Sequence, residues 1–198
     1  MFRHLAAAAL LALASMPAAY AQQTETAIFA GGCFWCVEKD FDHVEGVVST
    51  VSGYSGGTMQ NPTYPNHEGH REVVRIEYDP AKVGYDALVA TFFRTVDPTD
   101  AGGQFCDRGH AYTTAIYVAD EAQKAAAEKA KAEAEAALGQ RIVTPIEPAG
   151  TFWDAEDYHQ DYYVKNPLRY TYYRSACRRD ARVEELWGAA ARQGVAAH

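Results

Sequence analysis

The chain has 198 residues and a formal net charge of −8, with 26 acidic against 18 basic side chains and a hydrophobic content of 48%. That length suits one domain with a core large enough to do without disulfide staples. The acidic balance disfavours a nucleic-acid partner and an anionic membrane surface.

In chain order, residues 1–21 open on Arg3 and His4, run through Ala and Leu from Leu5 to Ser15, and close on Ala19-Tyr20-Ala21. A basic start, a short apolar run and a small-residue exit have the layout of a secretory signal cleaved after Ala21. The run is too short for a membrane anchor, because a hydrocarbon core of about 30 Å needs about 20 apolar residues. The expectation is an exported protein, periplasmic or secreted, whose mature part, 22–198, is one monomeric domain. Losing Arg3 takes the formal charge from −8 to −9.

Residues 26–30 read as a strand, Gly31-Gly32 as a turn, and 34–41 as a helix with apolar residues at helical spacing. Gly46 opens a second strand through Val47, Val48 and Val51, followed by a Gly/Asn/Pro-rich loop over 53–69. Residues 72–78 alternate as a strand, with Val74, Ile76 and Tyr78 on one face. An amphipathic helix is predicted over 85–96 and a strand over 114–118. An Ala/Glu/Lys helix over 120–138 then follows, with Asp120 as cap, Gln123 three residues on, Gly139 as stop and a solvated outer face. Strand, helix, strand, strand, helix, strand, helix is the split βαβ order of a ferredoxin-like α+β sandwich. After Pro145 the chain reads as irregular and aromatic, with Phe152, Trp153, Tyr158, Tyr162 and Tyr163, and ends in a charged segment around Cys177 to Trp187.

Four cysteines, Cys33, Cys36, Cys106 and Cys177, could form two structural disulfides in three pairings. The position of Cys33 argues for chemistry instead. It follows a strand and a Gly-Gly turn at the first turn of a helix, where unpaired N–H groups and the dipole favour a thiolate. Cys36 stands close enough to bond back to Cys33, so the pair can cycle between dithiol and disulfide. Zinc is the weaker reading, since no second close pair supplies ligands. The usual haem attachment is excluded because Val37 stands where His would follow.

The string GGCFWC at 31–36, continued by Val37-Glu38, resembles the active-site signature of the A-type peptide methionine sulfoxide reductases. The segments GYSGG at 53–57, NPTY at 61–64, GHREVVRIEYDP at 69–80 and YHQDYYVKNP at 158–167 recur in that family in the same order. The resemblance covers about Ala27 to Pro167 and implies the same α+β sandwich. It also implies thiol-dependent reduction of methionine-S-sulfoxide, free or in proteins, with Cys33 as nucleophile and no metal or organic cofactor.

A sulfoxide sulfur is a poor electrophile until its oxygen is protonated, so the site needs an acid that keeps its proton near neutral pH. The resemblance puts Glu72 in that role, Tyr64 and Tyr112 as phenols on the sulfoxide oxygen, and Asp107 as an acidic partner. Burial among aromatic rings would raise the Glu72 pKa. Phe34 and Trp35 would form the apolar wall for the methyl group on sulfur, a contact worth about 0.3–1.5 kcal/mol per ring. His159 is equally well read as structural and stays outside the catalytic set.

The resemblance leaves two candidates to resolve a Cys33 sulfenic acid: Cys36, the nearer and preferred one, and Cys177 in the C-terminal tail. Cys106 has no counterpart in the family pattern and could pair with Cys177 in an oxidising compartment. Thr113-Thr114 stands where relatives often carry Arg-Ser, which opens the fine shape of the oxygen pocket to question. A thioredoxin-like reductant is implied. The same cysteine pair would serve a thiol-disulfide oxidoreductase acting on other proteins, and a secreted binding module with only structural cysteines is the non-enzymatic alternative.

Overall fold

The computed structural model describes residues 23–196; the secretory-signal reading falls on residues outside that range. Strand β1 (Glu25–Gly31) leads through a two-residue turn into helix α1 (Phe34–Asp42), then β2 (Val47–Ser55), β3 (Arg71–Tyr78) and α2 (Tyr85–Phe93). A small hairpin of β4 (Gly103–Gln104) and β5 (Asp107–Arg108), and a 3-10 turn (His110–Tyr112), precede β6 (Thr114–Val118) and the long helix α3 (Glu121–Leu138). β7 (Ile146–Pro148), β8 (Trp153–Asp154), α4 (Tyr162–Lys165), α5 (Pro167–Ala176) and α6 (Arg179–Trp187) complete the order. No helix among the described residues is long and apolar enough to cross a membrane.

The main sheet runs β7-β6-β1-β3-β2-β8. Its four central strands pair antiparallel, and β7 adds to β6 in parallel. This is the predicted split βαβ sandwich, widened by one short strand at each edge. Strand alternation sorts the two faces. Ala27, Phe29, Val74, Ile76 and Tyr78 bury against Val37 and Phe41 of α1, Leu88, Phe92 and Phe93 of α2, and Ala127 of α3. Ala30, Val73, Ala115 and Tyr117 face the other way and meet Phe152. The face expected for Val74, Ile76 and Tyr78 is therefore the core face. Phe29 sits at its centre, in ring contact with Phe41 at 5.4 Å and Phe92 at 5.0 Å.

Several boundaries differ from the sequence reading. Strand β2 continues to Ser55, three residues into the predicted loop, because Gly53 and Ser55 still pair with Val73 and Arg71. Helix α2 stops at Phe93 and not Val96: the Thr95 hydroxyl caps the Phe92 carbonyl at 2.9 Å, and Pro98 forbids continuation. Helix α3 is capped as read, with Asp120 Oδ1 accepting from the Gln123 N–H at 2.8 Å and Gly139 left-handed at φ 61°. Its Ala127, Ala130 and Ala134 are buried while the charged positions face outward.

The tail read as irregular carries three helices. Helix α5 starts with Pro167 at its first turn, where a missing N–H costs nothing. Arg174 of α5 bonds to Asp40 of α1 at 2.8 Å and to Asp180 of α6 at 2.7 Å. These ion pairs, with Tyr170 packed on Cys36, hold the tail against α1.

Candidate active site

The turn before α1 sets the position of Cys33. Gly32 adopts φ +80°, and a Cβ there would stand 2.5 Å from Cβ of Gln104, so glycine alone fits. Cys33 becomes the cap residue of α1, its carbonyl accepting from the Cys36 N–H at 3.1 Å. Both sulfurs are free thiols and both are buried, at 6% and 1% exposure.

A cavity of about 50 Å³ opens at Cys33. Phe34 and Trp35 enter it from α1, Tyr64 from the β2–β3 loop, Glu72 from β3, and Asp107 and Tyr112 from the segment before β6. Every residue predicted for the site except Cys36 thus lines one cavity; Cys36 packs beside Cys33 and Tyr170, one step further in. Tyr64 stands at the rim, 38% exposed.

Glu72 is not the solvent-facing carboxylate that an isolated strand acid would be. It lies two residues before Val74, on the core face of β3, and is 1% exposed. Its Oε2 accepts the N–H of Phe34 at 3.0 Å. Burial, then the charge of Asp107, pushes its pKa up to about 8, against the lowering effect of that N–H. At neutral pH the group is an undissociated acid that lines the cavity.

The same contact corrects one expectation. The free N–H at the start of α1 serves Glu72 and not a Cys33 thiolate. Burial first, then Cys36 and Glu72, hold the Cys33 thiol well above its ordinary value. The anion sits one residue further in: a hydrogen bond from Cys33, then Arg179 and Arg174, bring Cys36 down to about 7 despite its burial. Cys33 is a thiol held against a thiolate.

Burial, followed by Glu72, raises the pKa of Tyr112 and of Tyr64, so both are neutral phenols. Asp107 is also raised, chiefly by burial. Its Oδ2 accepts from the hydroxyl of Tyr173, which is hydrogen-bonded to Cys33 as well. Tyr173 is the cavity residue that sequence reasoning missed; it sits in a tail crowded with tyrosines, on a helix that was not foreseen. His159, left out of the catalytic set, lies behind the wall and not in the cavity. It contacts Phe34 at 4.9 Å and Tyr64 at 4.5 Å between ring centroids.

Cys106 and Cys177 form a disulfide. It closes one residue from Asp107 and one helical turn from Tyr173, and so ties together the two elements that meet at Cys33. The single group of possible metal donors among the described residues is Cys106, Asp107 and Cys177. Two of those donors are consumed by the disulfide. Thr113 and Thr114 bond to Arg71 and Thr144 and do not line the cavity.

A buried cysteine pair opening onto a cleft that holds an undissociated acid and neutral phenols defines a thiol oxidoreductase. The family model described as peptide methionine sulfoxide reductase matches residues 25–191. A curated relative, peptide methionine sulfoxide reductase MsrA 2 of Rhizobium meliloti (strain 1021), is 58% identical over 179 residues, covering 89% of this chain and 90% of its own length. Among solved structures, reduced Mxr1 from Saccharomyces cerevisiae superposes with a TM-score of 0.68 at 30% identity, over 73% of this chain and 86% of that one. Mxr1 in complex with Trx2 gives a TM-score of 0.53 at 26% identity, over 70% and 84%. The chain belongs to the peptide methionine sulfoxide reductase family.

Proposed function

We propose that the protein reduces methionine-S-sulfoxide, free or within proteins, with Cys33 as nucleophile, Glu72 as acid and Cys36 as resolving thiol. The observation that carries this reading is the convergence of Cys33, Glu72, Tyr64 and Tyr112 on one cavity walled by Phe34 and Trp35. The methyl group on sulfur rests against the aromatic wall, and the sulfoxide oxygen meets Glu72 and the two phenols.

Cys33 passes its proton to the Cys36 thiolate and attacks the sulfoxide sulfur, while Glu72 protonates the oxygen. The Sγ–S bond so formed and the substrate S–O bond then both break as the hydroxyl passes to Cys33 Sγ; methionine leaves with its sulfur lone pair restored, and Cys33 holds the oxygen as a sulfenic acid. Cys36 then attacks the Cys33 sulfur. The new S–S bond expels the oxygen as water, whose two protons came from Cys33 and Glu72, and the negative charge first on Cys36 ends on Glu72. A dithiol reductant returns the pair to its starting state.

The disulfide between Cys106 and Cys177 favours Cys36 as resolver, because Cys177 is already engaged. A thioredoxin-like reductant is supported by the structural neighbour solved with Trx2. The signal-like layout of residues 1–21 supports action beyond the membrane, and a length that suits one domain supports a monomer.

The test is turnover of separated S and R methionine sulfoxide epimers by the mature protein with dithiothreitol, alongside Cys33→Ser. Consumption of the S epimer alone, with an inactive Cys33→Ser, is the expected result. Failure of folded, reduced protein to consume either epimer would overturn the reading, as would turnover by Cys33→Ser.

A further inference from the structure

Beneath the cysteine pair lie two buried arginines that the reaction as written does not use. Arg179, at the start of α6, is 2% exposed and is the largest fully buried side chain of the described residues. Its Nη1 donates to the Gly31 carbonyl at 3.0 Å, and its guanidinium stacks over Phe105 at 4.8 Å. Its Nε lies 3.9 Å from Asp40 Oδ2. Neither Nε nor Nη2 has a hydrogen-bond partner among the described residues. A buried guanidinium with two unused N–H groups costs several kcal/mol unless an anion stands nearby.

Asp40 does not supply that charge alone. It is already engaged by Arg174 at 2.8 Å. Asp180, the next carboxylate, is shared between Arg174 and Arg192 and is 37% exposed at its side chain. Two buried cations therefore share one fully buried carboxylate. No sulfur stands within hydrogen-bond reach of Nε or Nη2, so the second anion acts on this cation through space, and helix geometry identifies it. Asp40 stands one turn beyond Cys36 on the same face of α1, and Gly31 ends the strand that leads to Cys33. A guanidinium reaching from the Gly31 carbonyl to Asp40 crosses the face on which Cys36 sits.

We propose that Arg179, assisted by Arg174, is a positioning residue for Cys36, an electrostatic cradle in the C-terminal tail that favours the anionic form of this sulfur, so that it gives up the proton taken from Cys33 to the departing oxygen in the resolving step. The inference rests on the reading of Cys36 as resolver. The hydrogen bond from Cys33 is the largest influence lowering the Cys36 pKa, and Arg179 and Arg174 add to it. Burial and Asp40 act against them. Glu72 faces Cys36 from β3, and Tyr170 and Tyr173 face it from α5; all three stay neutral near pH 7 because burial raises their pKa values.

The experiment separates the two chemical steps in Arg179→Met, which keeps the length and removes the charge, and in Arg179→Lys, which keeps the charge. Methionine released in a single turnover without reductant reads the first step. Loss of the sulfenic acid, trapped with dimedone, reads disulfide closure from pH 5.5 to 9.5. In Arg179→Met, closure at pH 7 is expected to slow about tenfold and its pH profile to move up by about one unit, with Arg179→Lys recovering most of the loss. A folded Arg179→Met with unchanged closure rate and profile would overturn the proposal.

Should Arg179→Met fail to fold, the thiolate absorbance of Cys36 in Cys33→Ser is titrated instead. The midpoint is compared with that of Cys33→Ser carrying Arg179→Gln as well: a rise in the double variant supports the cradle, and an unchanged midpoint removes it. Mass mapping of the single-turnover disulfide separates the two ideas. A Cys33–Cys177 link removes both the resolver reading and the proposal. A Cys33–Cys36 link formed equally fast in Arg179→Met leaves the reading and removes the proposal.

Discussion

The indole N–H of Trp35 donates to Nδ1 of His159 at 3.0 Å, so the aromatic wall of the cavity is fixed in orientation by a histidine outside it. Since Nδ1 accepts, the ring proton belongs on Nε2. Burial is the main reason that the His159 pKa lies below its ordinary value, and the ring is neutral. The other face of the indole is held by Tyr162, stacked at 3.7 Å. His159→Leu leaves a buried indole N–H unpaired, at a cost of about 1–3 kcal/mol. The expected outcome is a lower Tm and a kcat/KM reduced about tenfold, measured by thermal unfolding and steady-state assay. A depressed histidine pKa lends stability that is present above about pH 6.5 and lost as pH falls through the folded-state value. The Tm difference between wild type and variant should therefore shrink in acid.

Glu72→Gln removes the acid and keeps the shape. A fall in kcat/KM of about 10²–10⁴ is expected, the usual worth of general acid catalysis. In the wild type, log kcat/KM should decline as pH rises through about 8, where Glu72 loses its proton, and the variant should lack that limb. Stability moves the other way. A raised carboxyl pKa contributes stability that is complete below 4.5, the unfolded value, and lost as pH rises towards the folded value of about 8. Glu72→Gln should gain stability over the wild type progressively across that window, measured by urea unfolding at several pH values.

Tyr173→Phe deletes the hydroxyl shared between Asp107 and Cys33. Phenylalanine fills the same volume, so the Tm should change little. The kcat for methionine sulfoxide should fall about tenfold with KM nearly constant, because the lost contact is with the nucleophile and not with the bound substrate.

The bridge between Cys106 and Cys177 spans 71 residues. Loop closure over that length is worth up to roughly 4 kcal/mol. Cys106→Ser with Cys177→Ser should lower the midpoint of urea unfolding, and dithiothreitol should lower the Tm of the wild type alone. Thiol titration of the native, unreduced protein should find two thiols, Cys33 and Cys36, and reduction should expose the remaining pair.

How much of this was legible follows from how each residue is fixed. The sandwich was readable because alternation in β3 and the caps of α3 are local signals, set by neighbours in sequence. Glu72 shares the face of Val74 and Ile76 by the same alternation, so its burial was present in the pattern even before any resemblance suggested a role. Tyr64 in a loop, Tyr112 in a 3-10 turn and Asp107 in a two-residue strand sit in segments too short for periodicity and were found only through the family resemblance. Tyr173, His159 and Arg179 owe their places to a tail folding back on α1, and a tertiary contact of that kind leaves no trace in spacing. Helix α6 was hidden for a further reason: the residue before it, Arg178, takes a left-handed conformation at φ 56°, which no ordinary capping signal announces.

The size of the cavity sets a rule for clients. It is about 50 Å³, and Cys33 within it is only 6% exposed, so the sulfur is reached by the end of an inserted side chain ahead of any backbone. An oxidised methionine can enter only by leaving its own protein's surface. Residues on loops and termini can do this at any moment, whereas one packed in a core must wait for local unfolding. The order in which damaged proteins are mended is then decided by the looseness of the clients, and a sulfoxide that destabilises its surroundings hastens its own repair.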